Sequence, residues 1–139
     1  MKEVTTYLTF DGNTREAMTF YKDCLGAELQ MMPFSEGQLP NMPETAKNRI
    51  MHARLGKGSS TILMASDTMP GAPYQQGNNF SISLHCESMS EIQGLFNSLG
   101  EGGSITMPLQ DVFWGAHFGM LKDKFGIHWM FNYEKPKQA

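Results

Sequence analysis

The sequence is poor in the features that most directly announce a chemistry. It has two cysteines, Cys24 and Cys86, at no metal-ligand spacing, which fits reduced thiols inside periodic segments rather than a disulfide framework. No apolar run approaches the ~20 residues that a membrane span needs, and "MKEVTTYLTF" lacks the apolar core of a signal peptide. A cytoplasmic chain is therefore expected. Positive charge is also sparse: eleven Lys and Arg, scattered singly, stand against fourteen acidic residues for a net charge of −3. That leaves no continuous cationic surface, so nucleic acid and anionic membranes are poor partners and a small molecule is the better one. The four histidines form no HxxxH or HExxH pair, so any site using them must assemble across strands. The glycine clusters "GKG" and "GEGG" do not sit between a parallel strand and a helix, where a dinucleotide or adenosylmethionine fold would need them.

What the chain does have is a repeat. In "TFDGNTREAMTFYKDCLGAEL", Asn13 with Glu16 reads as a helix cap, Ala17, Phe20, Tyr21 and Cys24 as an apolar stripe, and Gly26 as the stop. In "SLHCESMSEIQGLFNSLGEGGSI", Ser88 with Glu91 forms the capping box, and Gly100 ends the helix. The stripe recurs there as Ile92, Leu95, Phe96 and Leu99, each 75 positions on. Two hairpins repeat as well, Met51 to Ser66 and Ala116 to Asn132, with His52 matching His117 and Met64 matching Met130. A strand precedes each helix ("EVTTYLTF", "NFSISLHC") and an extended stretch follows it ("AELQMMPF", "GSITMPLQDVF"). Each half thus reads β-α-β-β-β, and the class is α+β.

The expected organisation is one domain over 1–139, with a first module over 1–67, a linker over 68–78, a second module over 79–133 and a disordered tail over 134–139. Ser35 to Asn48, rich in Pro and Gly and without a period, reads as a long loop or lid. One helix covers only one face of a four-stranded sheet, so the other face must close against the second copy or another chain. Two such sheets would curve into a half-barrel around an open cavity.

These residues resemble the vicinal oxygen chelate superfamily of glyoxalase I, extradiol dioxygenases and bleomycin-resistance proteins, built from paired βαβββ modules. "YLTFDGNTREAMTFYKDCLGAE" and "DVFWGAHFGMLKDKFGIHWMFN" are most similar to its PhnB-like branch, whose members often carry the name 3-demethylubiquinone-9 3-methyltransferase. The missing glycine-rich turn gives that activity no support in this chain. The resemblance implies four metal-ligand positions, filled in the metalloenzymes by His, Gln or Glu. They fall here on Thr5 or Thr6, Met64, Ser81 and Met130, so neither a metal nor any other cofactor is expected. It also implies a homodimer.

Strand alternation puts His128, Met130 and Asn132 on one face of the last strand, the face a ligand would occupy in the family, and Ile127, Trp129 and Phe131 on the other. His85 shares parity with Ser81 but lies ~13 Å along its strand, too far to replace a lost ligand. Tyr7 and Thr9 would face the cavity if Leu8 and Phe10 pack on the helix. Trp114 offers an aromatic platform, and the methionines suit an adaptable apolar pocket. The candidate ligand-binding residues are therefore Tyr7, Thr9, Met64, His85, Trp114, His117, His128, Met130 and Asn132, each with a purely structural role as its competing reading; Arg49 and Asp111 are weaker candidates, for ion pairing or ligand orientation. Two functions stay open. One is a small-molecule binder without a metal. The other is a lyase, isomerase or dioxygenase with a relocated metal or with His128, His85, His117 and Tyr7 as acid, base and orienting groups.

Overall fold

A computed structural model describes residues 1–137. The chain divides after Gln75 into two compact units, and each is a β-α-β-β-β module. In the first, β1 (Tyr7–Phe10), α1 (Thr14–Leu25), β2 (Glu28–Pro33), β3 (Ile50–Lys57) and β4 (Ser60–Asp67) give a sheet of order β1-β4-β3-β2. In the second, β5 (Ile82–Cys86), α2 (Met89–Leu99), β6 (Ser104–Val112), β7 (Ala116–Lys122) and β8 (His128–Glu134) repeat it as β5-β8-β7-β6. Both sheets are mixed: the first and last strands of each unit run parallel, and the remaining pairs are antiparallel.

Each helix lies on one face of its own sheet and covers one parity of the strands packed beneath it. Leu8, Phe10, Ala53, Leu55, Leu63 and Ala65 face α1 and are buried, as are Leu121, Trp129 and Phe131 beneath α2. Gly119 shows how closely that second layer packs. A Cβ there would come within 2.9 Å of the Phe96 ring and of Leu109, so the glycine of "FGML" lets α2 seat an aromatic directly on β7. Phe96 then meets Phe131 edge-to-face at 5.1 Å.

The second helix starts at Ser88 as expected: Ser88 Oγ accepts from the Glu91 amide, while Glu91 Oε1 reaches one residue past the cap and accepts from the Glu87 amide rather than from Ser88. The first does not. The Asn13 side chain makes no cap hydrogen bond. A carboxylate from the far end of the unit does that work: Asp67 Oδ1 accepts from the amides of Gly12 and Thr14 and from the Thr14 hydroxyl at 2.8 to 3.0 Å, while Oδ2 accepts from the Ile50 amide at 2.8 Å. Asp67 is buried at a helix N-terminus, where the unpaired amides and the helix dipole both favour a carboxylate side chain. The buried face of α1 is also rotated from the expected stripe, running through Thr14, Ala17, Met18, Tyr21 and Leu25, with Phe20 and Cys24 only half-buried. Gly26 closes the helix in the left-handed conformation at φ 61°, its amide returning to the Lys22 carbonyl.

Three other expectations change. The first strand is shorter than "EVTTYLTF" and leaves Thr5 and Thr6 outside it. The segment from Ser35 to Asn48 is a folded strap: it carries 3-10 turns at Phe34–Glu36 and Glu44–Ala46, buries Ala46, and pairs its ends through Phe34 and Ser35 amides donating to the Arg49 and Lys47 carbonyls. The tail begins later than expected, since Glu134 belongs to β8 and the Lys135 amide donates to the Gly115 carbonyl; of that tail, Gln138 and Ala139 lie outside the described residues. No helix among the described residues is long and apolar enough to cross a membrane.

Candidate functional site

The face of each sheet turned away from its helix carries most of the candidate residues. In the first unit, Tyr7 stands in register with Met64, and Thr9 with Ser66. Arg54 lies across from Met64 on the other side, and Met32 across from His52. Tyr7, Thr9, His52 and Met32 are exposed, and Met64, Ser66 and Arg54 half-buried. Tyr7 Oη and His52 Nδ1 lie 3.1 Å apart. His52 was not among the residues singled out from the sequence, and nothing in its local pattern links it to Tyr7, 45 positions away.

In the second unit, Ser83 is in register with Met130 and His85 with Asn132. Lys122, Met120 and Phe118 stand opposite His128, Met130 and Asn132 on β7. This open face therefore unites His85, His128, Met130 and Asn132, as the alternation of β8 requires. An open groove of about 430 Å³ lies at the C-terminal ends of β5 and β8, lined by His85, Cys86, Glu87, Asn132, Tyr133 and Glu134. The Cys86 thiol in it is held protonated: burial first, and the nearby Glu91 second, push its pKa up to about 11.

His117 falls elsewhere. It is in register with Tyr133 and Asp111, on the side of the sheet that faces α2. The residue that repeats His52 is Phe118, because Met64 pairs with Arg54 as Met130 pairs with Met120, an offset of 66 rather than 65. A slip of one residue sends a side chain to the opposite face. His117 Nδ1 lies 2.9 Å from Asp111 Oδ1, and Lys135 Nζ approaches the same oxygen at 2.5 Å. Lys135 first, and His117 after it, lower the Asp111 pKa below 3.8. Arg49 is likewise ion-paired, donating to Asp11 at 2.9 Å and to the Thr68 carbonyl at 3.0 Å.

The Asp111 shift fixes a sign. A carboxyl with a depressed folded pKa stabilises the fold above its unfolded value and loses that contribution as pH falls through the folded one. Asp111→Asn is expected to lower the thermal midpoint slightly at pH 6 and to match the parent protein well below pH 3.8, as thermal melts across that range would show. A difference that persists at low pH would refute the ion-pair role.

Trp114 sits with Phe113 in the turn between β6 and β7, outside both sheets' strands. Phe113 is 96% exposed, and Trp114 packs edge-to-face on Phe113 and Phe118 at 5.1 and 5.6 Å. Phe118 belongs to the open face, so the Trp114 ring borders it.

A divalent metal does not fit the donors at the four positions. Thr5 precedes β1 and Ser81 precedes β5, while Met64 and Met130 have Tyr7 and Ser83 beside them. Hydroxyls and thioethers are weak ligands for zinc, nickel or magnesium. Nor do the histidines of the second unit converge: His85 stands beside Asn132, four residues beyond His128, and His117 is on the opposite face. Among the described residues no three His, Cys, Asp or Glu side chains gather as ligands would.

Paired β-α-β-β-β units with this register define a superfamily, and the chain belongs to it: residues 4–131 match the model of the Glyoxalase/Bleomycin resistance protein/Dioxygenase superfamily. It is 34% identical over 146 residues to Protein YjdN of Escherichia coli K12, with 95% of each chain covered. Protein PA1353 of Pseudomonas aeruginosa superposes with a TM-score of 0.86 at 47% identity, covering 98% of this chain and 100% of that one. The PhnB protein of Bacillus cereus, which bears the 3-demethylubiquinone-9 3-methyltransferase name, superposes at 0.77 with 25% identity, covering 95% and 99%.

Proposed function

We propose that this chain is a PhnB-like small-molecule-binding protein that holds an apolar, partly aromatic compound against its open sheet faces without the superfamily's divalent metal. The observation that carries this reading is the recurrence of a methionine in the last strand of each unit, Met64 beside Tyr7 and Met130 beside Ser83, at positions implied to hold metal ligands in the metalloenzymes. Thioethers there offer a polarizable floor that adapts to flat, apolar shapes. Tyr7 and Thr9 give the first unit's open face the polar groups that orient a ligand held there, and His85, His128 and Asn132 do the same for the second unit's own open face, which Trp114 borders. His117 is left to its contact with Asp111. The enzyme reading with a relocated metal is disfavoured because His85 and His128, though on one face, stand at levels four residues apart along β8, and His117 is on the opposite face. The methyltransferase name finds no counterpart here: the glycines of "GKG" lie in the β3–β4 hairpin and those of "GEGG" follow α2. The working form is a homodimer of the 15.6 kDa chain.

Native mass spectrometry and metal analysis of protein purified without chelator test this reading. A dimer retaining an organic compound, with metal well below one per chain, is the expected result, and Met64→Lys and Met130→Lys should each cut retention by about tenfold or more by burying charge against an apolar ligand. One tightly held metal per chain would overturn the metal-free reading, and a particle of monomer mass would overturn the dimer.

A further inference from the structure

Tyr7 and His52 meet on the first sheet even though β4 runs between their strands. Tyr7 Oη approaches His52 Nδ1 at 3.1 Å, with ring centroids 5.8 Å apart and ring planes inclined by 33°. Both side chains are exposed, Tyr7 by 46%. A hydrogen bond between two exposed side chains adds little to folding, because water offers each group an equivalent partner. Two thioethers flank the pair on this face. Met64 is in register beside Tyr7, and Met32, 43% exposed, is in register beside His52. Arg54, the cation on this face, turns away from the pair: it donates to Thr61 Oγ1 and folds its guanidinium over Gly56.

We infer that Tyr7 and His52 form the oxygen-binding pole of the first sheet's ligand site, taking a phenolic, enolic or carbonyl oxygen of a flat ligand whose apolar body lies along Met32 and Met64. The inference rests on the small-molecule reading above and adds the ligand's polar group and its binding residues, His52 among them. The proton arrangement gives the pair both polarities. When the neutral imidazole accepts the Tyr7 hydroxyl proton at Nδ1, its own proton sits on Nε2. The pair then presents one acceptor, the lone pairs of Tyr7 Oη, and one donor, Nε2–H, to the same ligand. A ligand hydroxyl donates to Tyr7 while accepting from His52, and a carbonyl uses the imidazole donor alone. The two thioethers contact the face or edge of the ring that carries this oxygen.

Two probes of matched shape test it on the full chain, 4-chlorophenol and 4-chlorotoluene, followed by shifts of the Met32 and Met64 methyl signals in NMR, which every variant retains. The imidazole of the free protein should carry its proton on Nε2, a result that needs no variant; a proton on Nδ1 would overturn the arrangement. The phenol is expected to bind at least about tenfold more tightly than the toluene, and Tyr7→Phe and His52→Gln should each remove that preference. The double variant should lose no more than either single one, because donor and acceptor act as a unit. Both residues are exposed, so unchanged thermal midpoints should accompany the loss. If the phenol binds and the variants keep its preference, the pole is wrong while small-molecule binding stands. If neither probe binds at millimolar concentration, the pole and the binding reading for this face fall together.

Discussion

Asp67→Ala is expected to lower the stability of the first unit by about 3–5 kcal/mol, since it strips the acceptor from three buried donors and one half-buried donor at the start of α1 and of β3. The Gly12, Thr14 and Ile50 amides and the Thr14 hydroxyl all point at one carboxylate, and Thr14 is wholly buried, so water cannot replace what is lost. Set against the roughly 5–15 kcal/mol that holds a typical domain folded, such a loss brings the variant close to unfolding at physiological temperature. Asp67→Asn keeps an acceptor for the helix start but turns a donor toward the Ile50 amide, and should fall between the two. Asn13→Ala, at the position that looks like the cap in the sequence, should cost less than about 0.5 kcal/mol because that side chain makes no cap bond. Urea unfolding of the three variants settles the assignment: if Asn13→Ala is the more damaging change, the helix start has been misread.

Trp129→Ala is expected to cost the second unit about 3–5 kcal/mol, the range for deleting a buried aromatic. Trp129 is fully buried on the α2 side of β8, and its Nε1–H donates to Asp123 Oδ2 at 2.8 Å. The same Asp123 accepts from the Phe125 and Ile127 amides through Oδ1, which shapes the turn between β7 and β8. The indole and the turn are therefore coupled, and Trp129→Ala and Asp123→Ala should be non-additive by at least about 1 kcal/mol in a double-mutant cycle. Additive losses would mean that the turn forms without the indole.

Local signals carried the architecture. A capping box, an apolar stripe and a glycine stop each act within one or two turns of chain, and "SMSE" and "CLG" did in the folded units what they announce in the sequence. Strand alternation likewise placed Tyr7, Thr9, His128, Met130 and Asn132 on open faces, because a period of two leaves one parity for the helix. What could not be read is what acts at long range. Asp67 is 53 positions from Thr14, and only the parallel pairing of β1 with β4 brings them together. A lone aspartate ending the apolar strand "ILMASD", on the helix-facing parity, is the sole trace of it in the sequence. His117 illustrates a different limit. Aligning it with His52 by residue type ignored the ladder, and one position of register is enough to reverse a side chain's face. The Tyr7–His52 contact crosses an intervening strand, which no one-dimensional pattern records.

The parallel closure of each unit has a consequence for how the chain acquires its shape during synthesis. Residues 7–10 leave the ribosome more than fifty positions ahead of residues 64–67, their ladder partners, so the opening strand and the start of α1 wait without their carboxylate while β2, β3 and most of β4 are made. The β3–β4 hairpin needs only a short turn to close, whereas pairing β1 with β4 must close a loop of more than fifty residues. For the nascent polypeptide, Asp67 is a latch that arrives at the end of the first module's translation.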